Sequence, residues 1–275
     1  MMDYHTLLMM APFFIVLGAV VGFLSGLLGV GGGVLLVPAL LYGLGAMGYA
    51  TADLMHMAVG TSLAIIIPTS ISSARAHWRK GAVRVDILKK FAPGVIVGII
   101  LGTLVAKHVS GEGLKMFFAC MMVVLAIISN IDTSRFALAD DLPAPIWSGL
   151  IGAVVSFLAM MMGIGGATMT VPYLTLHRVP MKQAVGTASA LGIVIAVLGV
   201  IGFLLNGQGH AGELPPFSLG YINMLAWVLI VPASVLLAPV GAHYAHNLPV
   251  KTLRRIFSIF LLAIAVKMMT DAFHV

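Results

Sequence analysis

The stretch GVGGGVLLVP at residues 29–38 returns as GIGGATMTVP at residues 163–172 of a 275-residue chain. Glycine is the poorest helix former after proline, yet both copies lie in strongly apolar surroundings, and that conflict must be resolved before a fold can be drawn. The surroundings define the solvent. Charged residues make up 9% of the chain and apolar residues 60%, with a mean hydropathy of +1.09, whereas a soluble domain carries roughly 25% charge. Apolar stretches at 7–28, 55–74, 184–205 and 221–242 reach the roughly 17 to 25 residues that cross about 30 Å of hydrocarbon. Shorter runs at 91–106, 114–131, 146–162 and 253–269 lie near that limit. Period-two alternation is absent, which removes a β-barrel. The chain reads as an all-α polytopic membrane protein in a lipid bilayer. Its start, MMDYHT, offers no basic residue before the first apolar run and no small-residue cleavage pattern after it, so the first helix is expected to be retained. A net charge of +6 in such a chain reports on loops at the membrane surface, and no nucleic-acid partner is expected. The single cysteine, Cys120, rules out an intrachain disulfide framework.

Outward from the glycines, the match continues. AVGTS at 58–62 is answered by AVGTA at 184–188, and PGVIVGIILG at 93–102 by PASVLLAPVG at 232–241. LKMFFACMMVVLAI, starting at Leu114, is answered by LRRIFSIFLLAIAV, starting at Leu253. Four matched blocks in one order mark a duplication: a first repeat at 1–131, a linker at 132–145 and a second repeat at 146–275. If each half crossed the membrane an even number of times, the 15 lysines and arginines would divide almost evenly between the two faces. If each crosses an odd number of times, twelve share one face (Arg75, Arg79, Lys80, Arg84, Lys89, Lys90, Arg135, Arg178, Lys182, Lys251, Arg254 and Arg255) and only Lys107, Lys115 and Lys267 lie opposite. The second distribution is what the positive-inside tendency predicts. The repeats are therefore expected to be inverted, with both termini outside the cytoplasmic membrane.

The odd segment has to come from the glycines. Residues 7–45 and 146–176 are each too long for a single span, so each is expected to be a helix, a break, and a second, shorter helix beginning near Val34 or Thr168. That gives about five helical segments per repeat, with a glycine-broken helical hairpin opening each one. A non-helical break at membrane depth must face protein or a water-filled cavity. The helix after it directs unpaired amides and its positive dipole end into that space, and Gly31, Gly32, Gly33, Gly165 and Gly166 let a ligand approach closely. Such a site prefers an anion. Thr61, Ser62, Thr187 and Ser189 near helix starts, with Gln183, could donate further hydrogen bonds, although such hydroxyls equally often bond their own helix carbonyls. The acidic residues fall at loop edges or in linkers, as Asp53 and Asp86 do, which disfavours a cation as cargo. His243 and His246 are three apart but lack a visible third ligand, so no metal and no cofactor are expected. His77 reads as an interface residue that could also gate or couple to a proton. The four-residue glycine spacings Gly18, Gly22, Gly26 and Gly94, Gly98, Gly102 read as helix-packing faces.

GVGGGVLLVP followed by AVGTS and HWRKGAVRVD, with the second copies GIGGATMTVP and AVGTA, resembles the sulfite exporter TauE/SafE family of membrane permeases. The resemblance implies ATP-independent movement of a small sulfur-containing anion such as sulfite, a sulfonate, sulfoacetate or thiosulfate across the cytoplasmic membrane. Ala167 stands where that family usually has a third glycine, and Ala188 where the first half has Ser62. The linker NGQGHAGELPP is longer than usual and has no counterpart in the motif pattern. The expectation is a secondary transporter rather than an enzyme, with a passive anion channel as the alternative. The anion would be held by Gly31, Gly32, Gly33, Thr61, Ser62, Gly165, Gly166, Ala167, Gln183 and Thr187. A coupling proton and a homodimer are further possible partners.

Overall fold

A computed structural model describes residues 4–28, 32–49, 52–130, 142–210, 214–245 and 250–273. They form ten α-helices, numbered here α1 (Tyr4–Leu28), α2 (Gly33–Ala46), α3 (Leu54–Arg79), α4 (Val85–His108), α5 (Gly111–Asn130), α6 (Pro145–Met161), α7 (Ala167–Leu176), α8 (Met181–Asn206), α9 (Met224–Ala245) and α10 (Val250–Phe273). A 3-10 turn at Gln208–His210 lies in the linker that had no sequence reading, and a two-stranded antiparallel ribbon, β1 (Ser218–Leu219) and β2 (Ile222–Asn223), follows it, so the apolar stretch read from residue 221 becomes helical at Met224. The protein is an all-α polytopic membrane protein, and α3, α4, α5 and α8 are long and apolar enough to cross a bilayer. The exposed face of α4, with Ile96, Val97, Ile100, Leu101 and Leu104, is apolar, as a lipid-facing surface must be.

The helix after each glycine cluster starts one residue earlier than expected, at Gly33 and at Ala167. With 14 and 10 residues, α2 and α7 measure roughly 21 and 15 Å at 1.5 Å per residue, short of a full crossing of about 30 Å. Ten of the 14 residues of α2 are buried inside the molecule, its first turn from Gly33 to Leu36 among them.

The helices interlock across the two sequence halves. α1 packs against α9 and α4 against α6, while α3 packs against α8 and α5 against α10. Numbering each half from its own first helix, a first helix always meets the other half's fourth, third meets third, and fifth meets fifth. The directions are equally regular. Along α3 and α8, Gly60 faces Phe203, Leu63 faces Gly199, Ser70 faces Gly192 and His77 faces Gly186, so the two helices run antiparallel. The Ser73 and Ser189 hydroxyls meet at 3.0 Å in the same register. The last turn of α5 meets the first half of α10, where Asn130 Nδ2 donates to Ser258 Oγ at 2.8 Å.

By contrast, α1 and α9 run parallel, as do α4 and α6, and the small-residue stripes make this possible. A Cβ on Gly18 would lie 2.6 Å from the Ile230 carbonyl oxygen, and one on Gly22 would collide with Ser234. In the other pair, a Cβ on Gly94 would collide with the Gly149 carbonyl and one on Gly98 with Ala153 and Ser156. Ser156 adds a hydrogen bond to the Val95 carbonyl at 3.0 Å. Backbone contact this close supplies dispersion that lipid cannot match. Gly98→Leu is therefore expected to lower the detergent-solubilised melting temperature by roughly 5 °C or more, the effect of overpacking by about 1 to 3 kcal/mol. Gly149→Ala, whose new methyl would sit 3.7 Å from the Lys90 carbonyl oxygen, should leave it nearly unchanged; thermal-shift size-exclusion chromatography compares the two.

Candidate transport site

The second glycine motif shows how one chain stops and restarts a helix in the buried interior, where Gly163, Ile164 and Gly166 are all enclosed. Gly163, at φ +65°, ends α6: its N–H bonds the Met160 carbonyl at 3.1 Å and the following Ile164 N–H bonds the Ala159 carbonyl at 2.9 Å. This paired closure needs a left-handed residue after the last helical one, which favours glycine. Gly166, at φ +75°, then starts α7 and accepts the Thr170 N–H at 2.9 Å. In the first motif Gly32 plays the starting part with an ordinary helical φ of −67°, and it accepts the Leu36 N–H at 2.9 Å. Neither α2 nor α7 has a side-chain cap at its start, so the amide ends of both are left to other partners. Gly31 lies outside the described residues.

The two breaks touch. A Cβ on Gly33 would lie 2.7 Å from the Gly163 carbonyl oxygen and 2.9 Å from Ile164 Cα. Both motifs rest on the centres of α3 and α8: the Gly33 Cβ would also meet Ile66 at 2.8 Å, the Gly165 Cβ would meet Ile66 at 3.0 Å, and the Gly166 Cβ would meet Ile195 at 2.7 Å. Gly192 on α8 gives room for the Gly165 carbonyl. Ala167, in the position of a third glycine, is the first residue of α7 and is partly buried.

The hydroxyls of the repeated AVGT block have definite partners. Ser62 donates to the Gly163 carbonyl at 2.8 Å, tying α3 to the second break. Thr61 Oγ1 accepts the Asn223 N–H at 2.9 Å, and Thr187 Oγ1 accepts the Arg84 N–H at 3.0 Å. These last two bonds are counterparts. Asn223 immediately precedes α9 and Arg84 immediately precedes α4, the fourth helices of the two halves. The glycine before each threonine admits the same segment, because a Cβ on Gly60 would meet the Tyr221 carbonyl at 2.5 Å and one on Gly186 the Ala82 carbonyl at 2.7 Å. The Gly-Thr repeat is thus a clamp that fastens the entrance of each fourth helix to the third helix of the opposite half. Gln183 lies one turn before Thr187, on the exposed side, with Oε1 accepting from Arg84 Nη1 at 3.5 Å.

Arg84, Lys90 and Arg178 gather at one end of the molecule, where they line an open cleft of 210 Å³ with Asp86, Leu142, His177 and Pro180. Arg84 is paired with Asp86 through Nε at 2.8 Å. The cleft contains none of the glycine-break residues. Trp78 and Trp147 are exposed on α3 and α6, the placement of interfacial aromatic anchors. Among the described residues no group of three His, Cys, Asp or Glu side chains is positioned to hold a metal ion; His246 lies outside them. Two participants escaped the sequence reading. Gly163 carried the signal of a glycine at a helix end, and Asn223 that of a cap, since its Oδ1 accepts the Ala226 N–H at 2.8 Å.

The model of the family described as sulfite exporter TauE/SafE matches residues 14–268. The chain belongs to that family. A probable membrane transporter protein of Haemophilus influenzae is 32% identical to this TauE/SafE member over 254 residues, covering 92% of this chain and 96% of the relative. A probable membrane transporter protein of Methanocaldococcus jannaschii is 26% identical over 235 residues, 82% of this chain and 83% of its own length. One from Bacillus subtilis is 25% identical over 277 residues, 94% and 96% of the two lengths. No solved structure matches the chain. The TauE/SafE protein is a multi-pass membrane transporter, not an enzyme. In it, Thr61→Val and Thr187→Val are each expected to cost about 1 to 3 kcal/mol, because each strands a backbone N–H. Thr→Ser at the same positions should retain most of the stability, as thermal unfolding of the purified variants will register.

Proposed function

We propose that this protein is a secondary transporter that moves a small sulfur-containing oxyanion of the sulfite, sulfonate, sulfoacetate or thiosulfate type by alternating access. The observation that carries the reading is the meeting of the two glycine breaks at the centres of α3 and α8. Uncapped starts of α2 and α7 at that depth offer amides and positive dipole ends to an anion. Each terminus contributes about 0.3 to 1 kcal/mol at an exposed site and more when desolvated, a scale that allows release as well as capture. Gly31, Gly32, Gly33, Gly165, Gly166 and Ala167 are the residues that would hold the anion. Ser62, Thr61, Thr187 and Gln183 would hold the frame and exchange partners as the site opens. Family membership and the names of the relatives supply the transport; the anion comes from the family's description and from the scarcity of acidic side chains at depth.

The same reading takes residues 1–131 and 146–275 as inverted repeats joined by a linker at 132–145. Equivalent helices α3 and α8 running antiparallel support it, as does the charge distribution, and both termini then lie outside the cytoplasmic membrane. Single cysteines at Asp140 and Gln208, in a background lacking Cys120, should label from opposite faces of sealed vesicles; labelling from the same face overturns the inversion.

Proteoliposomes loaded with unlabelled sulfite, thiosulfate or sulfoacetate should accumulate the labelled form of the same anion by counterflow. A non-saturating, voltage-driven current without counterflow would identify a channel instead. Gly32→Val, at a backbone angle any residue adopts, should abolish counterflow while leaving the protein folded and in the membrane. Undiminished transport by that variant removes the glycine site from the mechanism.

A further inference from the structure

Opposite the basic end, at the start of α3, lies a second group of titratable side chains. His56 is 4% exposed, and its Nε2 lies 3.0 Å from the Ala106 carbonyl oxygen. A carbonyl can only accept, so Nε2 carries the hydrogen and the neutral ring presents a bare Nδ1. That Nδ1 has no hydrogen-bond partner. It faces another acceptor, Asp53 Oδ1, at 3.7 Å. Asp53 stands just before α3, where an aspartate usually accepts a first-turn amide, but its side chain makes no such cap. Its other oxygen lies 3.9 Å from His210 Nε2, on the half-exposed 3-10 turn. His210 Nδ1 is 3.2 Å from the Tyr221 hydroxyl. The Tyr221 ring stacks with both imidazoles, 5.2 Å from His56 and 5.7 Å from His210.

In the neutral form the pair His56 Nδ1 and Asp53 is acceptor against acceptor. One proton on Nδ1 converts it into an ion pair with a hydrogen bond, and drawing the atoms from 3.7 Å to bonding distance takes about 1 Å of movement. We infer that Asp53, His56 and His210 form the transporter's proton-binding site, with His210 as the solvent-side entry, Asp53 as the bridge and His56 Nδ1 as the final acceptor. The inference rests on the transport reading above and assigns its coupling ion.

The placement gives the proton mechanical reach. Tyr221, on which both rings stack, is the residue whose carbonyl lies against Gly60, and Asn223 two residues later is held by Thr61. Gly60 is one helical turn beyond His56. Closing Asp53 on His56 therefore acts on the clamp that fastens α9, and α9 carries α1, the helix that leads into the first glycine break. Other elements packed here bring little competing charge. α8 contributes Phe203, α5 contributes Gly111, and Lys107, His108 and Glu112 on the adjoining helix ends are exposed.

Two measurements separate this site from the transport reading. Nitrogen-labelled histidine NMR of the whole protein in nanodiscs, from about pH 5 to about pH 8, should show a titrating Nδ1 resonance. It should vanish in His56→Gln and move in Asp53→Asn; an imidazole at His56 that stays neutral across that range overturns the proposal, whether or not any anion is carried. In proteoliposomes, an inward pH gradient should drive accumulation of labelled thiosulfate, whose own charge is constant there. His56→Gln should reduce that accumulation by roughly tenfold, within the usual span of coupling between sites, while counterflow at equal pH is retained. Unchanged gradient-driven accumulation in His56→Gln overturns the proposal even if transport stands. If thiosulfate is not carried at all, the transport reading loses that substrate and the NMR titration alone decides the proton site.

Discussion

Backbone amides cannot be left without partners in hydrocarbon, and that constraint organises this molecule. Two helices are stopped and restarted where an unbroken span would have been simpler, so everything around the breaks must keep lipid away from them. α2 is buried from its first turn through most of its length, up to Leu44. The second break is held by Ser62 on one side and by the close approach of Gly192 on the other. The two motifs also cover each other, Gly33 lying against Gly163 and Ile164. Glycine permits each of these approaches because backbone can come within contact distance of backbone only where no Cβ intervenes.

The interlocking of the halves follows from the same need. The short helices α2 and α7 pack on α3 and α8 of their own halves, and the breaks are closed in from both halves, since Gly33 and Gly165 both lie against Ile66. First helix on fourth, third on third and fifth on fifth is the contact pattern of a two-fold exchange. The parallel pairs α1 with α9 and α4 with α6 are joined by small residues, and the antiparallel pair α3 with α8 carries both breaks at its centre. Two of the polar bonds that cross between the halves are counterparts, Thr61 to Asn223 and Thr187 to Arg84.

Much of this was legible in the sequence, and the exceptions have physical causes. The number of helical segments and the starts of α2 and α7 to within one residue came from span length against bilayer thickness and from glycine clusters that no continuous helix would tolerate. The glycine stripes were readable because four-residue spacing has one dominant meaning in membranes. The hydroxyls were harder. Thr61 and Thr187 look alike whether they face a ligand or a backbone N–H, because the partner, Asn223 or Arg84, is far along the chain and carries no matching pattern. His56 was invisible for a related reason: an apolar helix containing one histidine says nothing about which carbonyl fixes its tautomer or which carboxylate arrives from the preceding turn. The linker after α8 gave no periodic signal, yet its 3-10 turn and short ribbon bring His210 and Tyr221 to the start of α3.

The exchanged pairing of α1 with α9 also has a temporal side. A ribosome makes α1 before its long-range companion α9 with seven helices between them, so during synthesis the close-packing face around Gly18 and Gly22 must wait in the bilayer while those seven are inserted. The α4 and α6 pair closes far sooner, across a single intervening helix. The α4 and α6 pair is thus expected to dock before the α1 and α9 pair, which cannot form until α9 has been made. Damage to α9 would then be felt along α1, eight helices earlier in the order of synthesis.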